Sequence, residues 1–421
     1  MAIGADVLIY RPLKTPFKME ITGESHMNMI TTQDGTKIYF KDWGTGLRVE
    51  NVLARYRAEA KATGGRDGRH FPTPEKTIKK LLKTTLLAGA LATCALGTAY
   101  AGDAPALKPD RVTSAFLYKL NHSGGAPIET LSPEAARQVL TSAQNSVKVD
   151  PSGITIANRT IEQDGISVPI TIVKPEGASD TLPVFMFFHG GGWILGDFPN
   201  HGRLVRDLVV ESGLAAVFVN YTPSPEAQYP VAINQAYAAT RWVAEHGREI
   251  GVDGHSLAVV GNSVGGNMAA VVSLMAKDKN GPTIRFQGLM WPVTDDNFDD
   301  RSYLDYSEGD FLTRPMMQWF WNAYTRSDAK RNERYASPLK ASLEELKGLP
   351  PALIQVAQFD VLTNEGQAYG RKLDDAGDEA TVVRYDGTIH DFGLLNALAS
   401  DVPTRTAIKQ MADELKTRTE N

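Results

Sequence analysis

Leu257-Ala-Val-Val-Gly261-Asn-Ser263-Val-Gly265-Gly-Asn267 is the stretch whose reading decides the fold. Four apolar residues run into a glycine, a serine stands two positions later, and two more glycines follow. The Ala/Val/Met-rich run from Met268 to Ala276 then reads as helix. A strand that turns sharply into a helix through Gly-x-Ser-x-Gly lifts a serine hydroxyl clear of the sheet on a strained turn. Gly261 and Gly265 leave out the side chains that would collide with strand and helix there. The helix after the serine offers free N–H groups in its first turn, and these favour negative charge. In a chain with 37 glycines the pattern alone carries little, so partners elsewhere must decide its meaning.

Upstream, Pro183-Val-Phe-Met-Phe-Phe188 reads as a fully apolar strand running into His189-Gly-Gly-Gly-Trp193. A triple glycine after a buried strand exposes backbone N–H groups that regular structure does not use, as an oxyanion hole requires. Downstream, Ala352–Gln358 is an apolar run ending at Phe359-Asp360, and Thr381–Tyr385 is a strand followed by Gly387-Thr-Ile-His390-Asp-Phe392. The order Ser, then Asp at a strand end, then His after the last strand places all three on one edge of a sheet. Of the six histidines beyond residue 101, only His390 lies just after a terminal strand in such a loop. His189 belongs to the glycine loop and is read as structural, and the other four carry no pattern. Glu365 and Asp391 are rival carboxylates, with Asp360 preferred for its place at the strand end. The roles this order predicts are Ser263 as nucleophile, His390 as general base and then acid, and Asp360 as the group that fixes the imidazole. Gly190, Gly191 and Val264 are the predicted oxyanion donors.

The remaining chain fits between these points. Helices are predicted at 114–120 and 132–140, the second with Ser132 as N-cap and Pro133 at its first position. Ile154–Ile161 and Ile166–Val173 alternate about Asp164-Gly165, a hairpin signal. Strands at 215–220 and 284–291 and helices at 231–246, 366–376 and 404–416 complete an alternation that implies a parallel, doubly wound sheet. Residues 297–337 interrupt it. Their helix Phe311–Tyr324 is crowded with aromatics and Met, and two readings stay open: plain core packing, or a cover that lines an acyl pocket.

The body resembles the hormone-sensitive-lipase-like (bacterial family IV) serine esterases of the α/β-hydrolase superfamily. The residues that carry the likeness are His189-Gly-Gly-Gly-Trp193, Gly261–Gly266, Asp360-Val-Leu-Thr-Asn-Glu-Gly366 and Tyr385–Phe392, and it spans about 105–416. It implies an α/β-hydrolase fold: a mostly parallel eight-stranded sheet with helices on both faces and a helical cap. The catalytic domain would be 102–421, with the cap built from about 105–150 and 297–337. It further implies a serine carboxylesterase acting on short- to medium-chain acyl esters without cofactor or metal, with Trp193, Trp319 and Phe320 toward the substrate. Activated amides, lactones or carbonates would use the same machinery. A non-catalytic, small-ligand-binding protein of this fold is the reading of another class, and the complete Ser, Asp and His set argues against it. The chain departs from the family at Asn262 (usually Asp), Val264 (usually Ala) and Asp391 (often Gly), which leaves substrate preference open.

The front of the chain is of a different kind. Residues 1–101 carry 15 Lys/Arg against 9 Asp/Glu, whereas the rest carries 29 against 40. Four lysines between 76 and 83, the apolar run 84–97 and Ala99-Tyr-Ala101 make the three parts of a secretory signal over 76–101. Leu91-Ala-Thr-Cys94 is a faint lipoprotein pattern, weakened by Thr93. About 75 residues precede this signal. Among them Met29-Ile-Thr-Thr-Gln-Asp-Gly-Thr-Lys-Ile-Tyr-Phe-Lys-Asp-Trp-Gly-Thr-Gly46 resembles the opening hairpin of a cofactor-free haloperoxidase, then breaks off. Residues 1–75 are therefore read as an atypical extension, a misassigned start or a fused remnant rather than a folded domain. Export makes the expected location periplasmic or secreted, or cytoplasmic if the extension blocks the signal. The single cysteine, Cys94, excludes an intrachain disulfide and a thiol nucleophile in the body. A net charge of −5 gives no ground for nucleic acid binding. The expected partner is a small-molecule ester, with no stable membrane span after signal cleavage, and a homodimer is compatible with the sequence.

Overall fold

The computed structural model describes residues 108–178 and 181–420, together with three short strands nearer the N-terminus. These are β1 (Glu20–Ile21), β2 (Asn28–Thr31) and β3 (Lys37–Phe40). They pair antiparallel in that order, and β2 and β3 overlap the stretch 29–46 quoted above. The rest of residues 1–75, the segment 76–101 read as a secretory signal, and residues 102–107 lie outside the described residues. The chain divides into two units after Asp103, and the second carries the eight-stranded sheet.

Its sheet has eight strands. β4 (Ile154–Gln163) and β5 (Ile166–Pro175) are joined by Asp164-Gly165, whose φ values of 53° and 76° suit the tight turn that Asp-Gly favours. β6 (Leu182–Phe188), β7 (Ala215–Val219), β8 (Val252–Asn262), β9 (Phe286–Met290), β10 (Ala352–Phe359) and β11 (Ala380–Ile389) run parallel to one another. β5 is antiparallel to both of its neighbours. The order across the sheet is β11-β10-β9-β8-β6-β7-β5-β4, so β8, which leads to Ser263, is central. The doubly wound, eight-stranded α/β arrangement expected from the motif order is the arrangement observed.

Side chains alternate across each strand, and the central strands are apolar on both faces because helices cover both. Phe185, Phe187, Phe218 and Val260 face α3 (Phe198–Ser212) and the C-terminal helix α8 (Val402–Thr419). Val184, Met186, Phe188 and Val259 face α4 (Val231–His246), α5 (Val264–Asp278) and α7 (Thr363–Ala376). Each such fully buried side chain stabilises the fold by roughly 1.5–3 kcal/mol. α3 is not among the helices predicted above. Its apolar residues Leu204, Val205, Leu208 and Val209 have helical spacing, but Pro199 and Gly202 break the pattern at its start, and Asp197 supplies the cap that overrides them.

Two helices precede the sheet. α1 (Arg111–Asn121) is capped by Asp110, and α2 (Pro133–Asn145) by Ser132 with proline at its first position, as predicted. The insertion after β9 contributes α6 (Arg314–Tyr324), which starts at Arg314, later than the apolar run suggests, because Thr313 is its cap. α1 meets the insertion through Phe116 and Phe311, whose rings lie 6.1 Å apart, and through an Asn121 Nδ2 to Gly309 carbonyl hydrogen bond of 3.1 Å. No helix among the described residues is long and apolar enough to cross a membrane.

Candidate active site

Ser263 occupies the turn between β8 and α5 with φ 57° and ψ −123°, a strained conformation for a residue other than glycine. The turn is held from below: Ser263 N–H donates to Met290 O (2.9 Å), and its carbonyl accepts from Val293 N–H (3.1 Å). The flanking glycines are required by space. A Cβ on Gly265 would stand 1.9 Å from the Phe188 carbonyl oxygen, and one on Gly261 would stand 2.2 Å from the Gly265 backbone. The strain at Ser263 thus accompanies a close approach of strand, turn and helix.

His390 directly follows β11, and Asp360 directly follows β10. His390 Nε2 lies 3.0 Å from Ser263 Oγ, and Nδ1 lies 2.8 Å from Asp360 Oδ2. The carboxylate fixes the proton on Nδ1 and leaves Nε2 as the acceptor facing the serine. All three side chains are buried, with Asp360 at 1% exposure. Burial works to lower the His390 pKa, but the Asp360 and Asp391 carboxylates outweigh it and hold it above the usual histidine value. Of the rival carboxylates, Glu365 turns away and accepts the N–H groups of Thr294 (2.6 Å) and Asp295 (3.2 Å). Asp391 is close, with Oδ2 3.8 Å from His390 Nε2.

The glycine loop departs from expectation at one point. Gly190 donates its N–H to Asn262 Oδ1 at 3.0 Å, so it is not available to an oxyanion. The N–H groups of Gly191, Gly192 and Val264 find no acceptor among the described residues. The third glycine, Gly192, thus keeps its N–H free among the described residues, whereas the predicted donor Gly190 does not. The signal was present in the run of three, but nothing local tells which N–H a residue 72 positions away will use. Gly191 and Gly192 have φ of 103° and 63°, conformations that glycine tolerates and that turn this loop back on itself.

The loop is clamped from three sides. His189 is buried between Phe218 and Tyr221, nearly parallel to both rings at 5.3 Å and 4.1 Å, and Tyr221 Oη donates to its carbonyl. Burial pushes the His189 pKa down to about 4, so the ring is neutral and structural, as read. From α2, Arg137 donates through Nε to Ile194 O (2.8 Å) and pairs with Glu226. From α6, Phe320 covers Gly192 so closely that a Cβ there would meet its ring at 2.0 Å. Trp319 is half-buried beside Phe320, with ring centres 5.1 Å apart. Trp193, expected toward the substrate, is instead wholly buried: it stacks on Tyr324 at 3.9 Å and meets Trp321 edge-on at 4.9 Å. Its positive φ of 59° turns the ring into the packing between loop and α6. The aromatic helix packs inward through Met317, Phe320, Trp321 and Tyr324, and its Phe320 also covers the glycine loop.

The sheet order, the serine turn and the carboxylate–imidazole–hydroxyl chain define a hydrolase of the α/β class. The family profile described as alpha/beta hydrolase fold matches residues 185–394. The chain is 32% identical over 277 residues to carboxylesterase NlhH of Mycobacterium tuberculosis, covering 65% of this chain and 86% of that one. It is 30% identical over 303 residues to the ethyl acetate hydrolase of Pseudomonas putida, covering 70% and 94%. Among solved structures, a thermostable esterase from Pseudomonas putida ECU1011 is 59% identical with a TM-score of 0.74, covering 74% of this chain and 98% of that one. The chain belongs to the α/β-hydrolase fold family, in its hormone-sensitive-lipase-like branch, and it is a carboxylic ester hydrolase.

Proposed function

We propose that the chain hydrolyses short- to medium-chain acyl esters through an acyl-enzyme on Ser263. The hydrogen-bonded chain from Ser263 Oγ through His390 to Asp360 carries the proposal. Nε2 takes the hydroxyl proton as Oγ attacks the ester carbonyl, and the oxyanion that forms is met by the N–H groups of Gly191, Gly192 and Val264. The tetrahedral species expels the alcohol, which receives the proton from His390. Water then repeats the sequence on the acyl-enzyme and releases the acid. Asp360 keeps the imidazole in the reactive tautomer and stabilises the imidazolium. Phe320 over Gly192, with Trp319 beside it, closes the space next to the oxyanion loop, which supports small acyl groups.

A series of p-nitrophenyl esters from acetate to palmitate tests this. The expected rates peak at short chains, and Ser263→Ala loses about 10⁴-fold or more in kcat on every member. Retention of wild-type rates by that variant would overturn the assignment of the nucleophile.

A further inference from the structure

Beside the His390 ring, two side chains from other parts of the chain, Asn262 and Trp291, meet on one buried carboxylate. Asp391 has φ 56° and heads the turn after β11, its carbonyl accepting from Leu394 and Leu395 N–H. Its Oδ1 accepts from Trp291 Nε1 at 2.6 Å and from Asn262 Nδ2 at 2.8 Å. Two donors on one oxygen hold the carboxylate in a single orientation. Its Oδ2 accepts no hydrogen bond among the described residues and stands 3.8 Å from His390 Nε2.

The second half of the arrangement is Asn262. Its amide orientation is fixed, because Nδ2 must donate to the carboxylate and Oδ1 therefore faces the Gly190 N–H at 3.0 Å. The first glycine of the oxyanion loop is in this way tied through Asn262 to the residue next to the catalytic histidine. A Cβ on Gly190 would fall 2.5 Å from Asn262 Nδ2, so the two are packed with no slack.

We infer that Asp391 is a positioning residue with two effects: it sets the Gly190 turn through Asn262, and it stands as a second carboxylate beside the imidazolium that forms during turnover. The inference rests on the proposed Ser263 mechanism for its second effect only. In that step the Ser263 proton moves to Nε2, leaving a cation flanked by Asp360 on Nδ1 and by Asp391 near Nε2. The proton then leaves with the alcohol. The charged groups facing the ring are these two carboxylates, from the end of β10 and from the His390 loop itself. Ser263, Asn262 and Trp291, from the other elements packed there, carry no charge at neutral pH. Burial opposes protonation of His390, and both carboxylates raise its pKa, Asp360 the more strongly.

Two variants and their combination test this. Asp391→Asn keeps an acceptor for Trp291 and removes the charge. The His390 pKa, read by NMR titration of its ring, is expected to fall by about one unit or more, and the acid limb of kcat/KM should move down with it. Asn262→Asp sets two carboxylates against each other and is expected to lose at least about tenfold in kcat/KM at neutral pH. The double variant Asn262→Asp/Asp391→Asn restores one amide against one carboxylate, and the carboxylate introduced at position 262 accepts the Gly190 N–H. It should recover most of that loss while keeping the lowered His390 pKa, because the charge now sits away from Nε2. A His390 pKa unchanged in Asp391→Asn, or a double variant no better than Asn262→Asp, overturns the inference. The NMR titration reads His390 without any ester, so a pKa drop in a protein that hydrolyses nothing would support the positioning of Asp391 and count against the esterase mechanism alone.

Discussion

Gly192→Ala is the substitution in which the geometry of the oxyanion loop makes its sharpest demand. The added methyl would stand 2.0 Å from Phe320 Cδ1 and 2.1 Å from Cγ, where carbon contacts need about 3.5 Å. The loop or the ring must give way by roughly 1.5 Å, and alanine at φ 63° adds about 1–2 kcal/mol of backbone strain. Phe320 is packed in the core at 3% exposure, on a helix held by Trp321 and Tyr324, so the loop is the part that yields. A displacement near 1 Å costs about 10²-fold in rate, and loss of one oxyanion donor costs about 10²–10³-fold. The expected result is therefore a fall in kcat of about 10²–10³-fold on p-nitrophenyl butyrate, with KM changed much less. Gly192→Ala combined with Phe320→Ala gives the methyl room, should recover at least about tenfold of that loss, and should shift preference toward longer acyl chains. Thermal melts of wild type and both variants separate rate loss from unfolding. A single variant within about threefold of wild type, or a double variant no faster than the single, would refute the placement of Gly192 in the donor set.

Other consequences follow from the same geometry. Asp360→Asn leaves the packing intact but removes the acceptor that holds the Nδ1 proton, so kcat is expected to fall by about 10⁴-fold with KM nearly unchanged; a loss below tenfold would contradict the role given to Asp360. His189 has its pKa pushed down to about 4 by burial, against about 6.5 in an unfolded chain. The unfolded state binds the extra proton between those values, so stability falls as pH drops through that window, by roughly 3 kcal/mol at its lower end. Urea unfolding at pH 7 and pH 4.5 should show this loss in wild type and a smaller one in His189→Phe, which keeps the stacking; equal losses would contradict it. The raised His390 pKa acts the other way on stability. Its contribution is complete below the unfolded value and is lost as pH rises through the folded one, while activity, which needs neutral His390, is gained over the same rise.

What was legible in the sequence was whatever a local pattern forces. Apolar strands ending at Ser263, Asp360 and His390 had to bring those ends to one edge of a parallel sheet, and residues 127 and 30 positions apart in sequence do meet there. Asp164-Gly165 had to turn the β4–β5 hairpin. What was hidden depended on contacts with no local signature. Gly190 and Gly191 look alike in sequence, and only the Asn262 amide distinguishes them. Trp193 follows the glycines as a pocket residue would, yet its backbone turns it onto Tyr324. Phe320 and Trp321 are adjacent aromatics on one helix, and their different neighbours, Gly192 and Trp193, follow from a crossing that periodicity cannot give.

Covalent trapping of the nucleophile tests the central claim most directly. The purified enzyme would be treated with a p-nitrophenyl phosphonate ester, whose phosphorus accepts a serine oxygen and stops at the tetrahedral stage. The account predicts one equivalent of p-nitrophenol released, one phosphonyl group added to the intact mass, and that group on Ser263 by peptide mapping, with labelling abolished in His390→Ala. An enzyme that hydrolyses esters yet carries no adduct on Ser263, or carries it on another residue, would contradict the account.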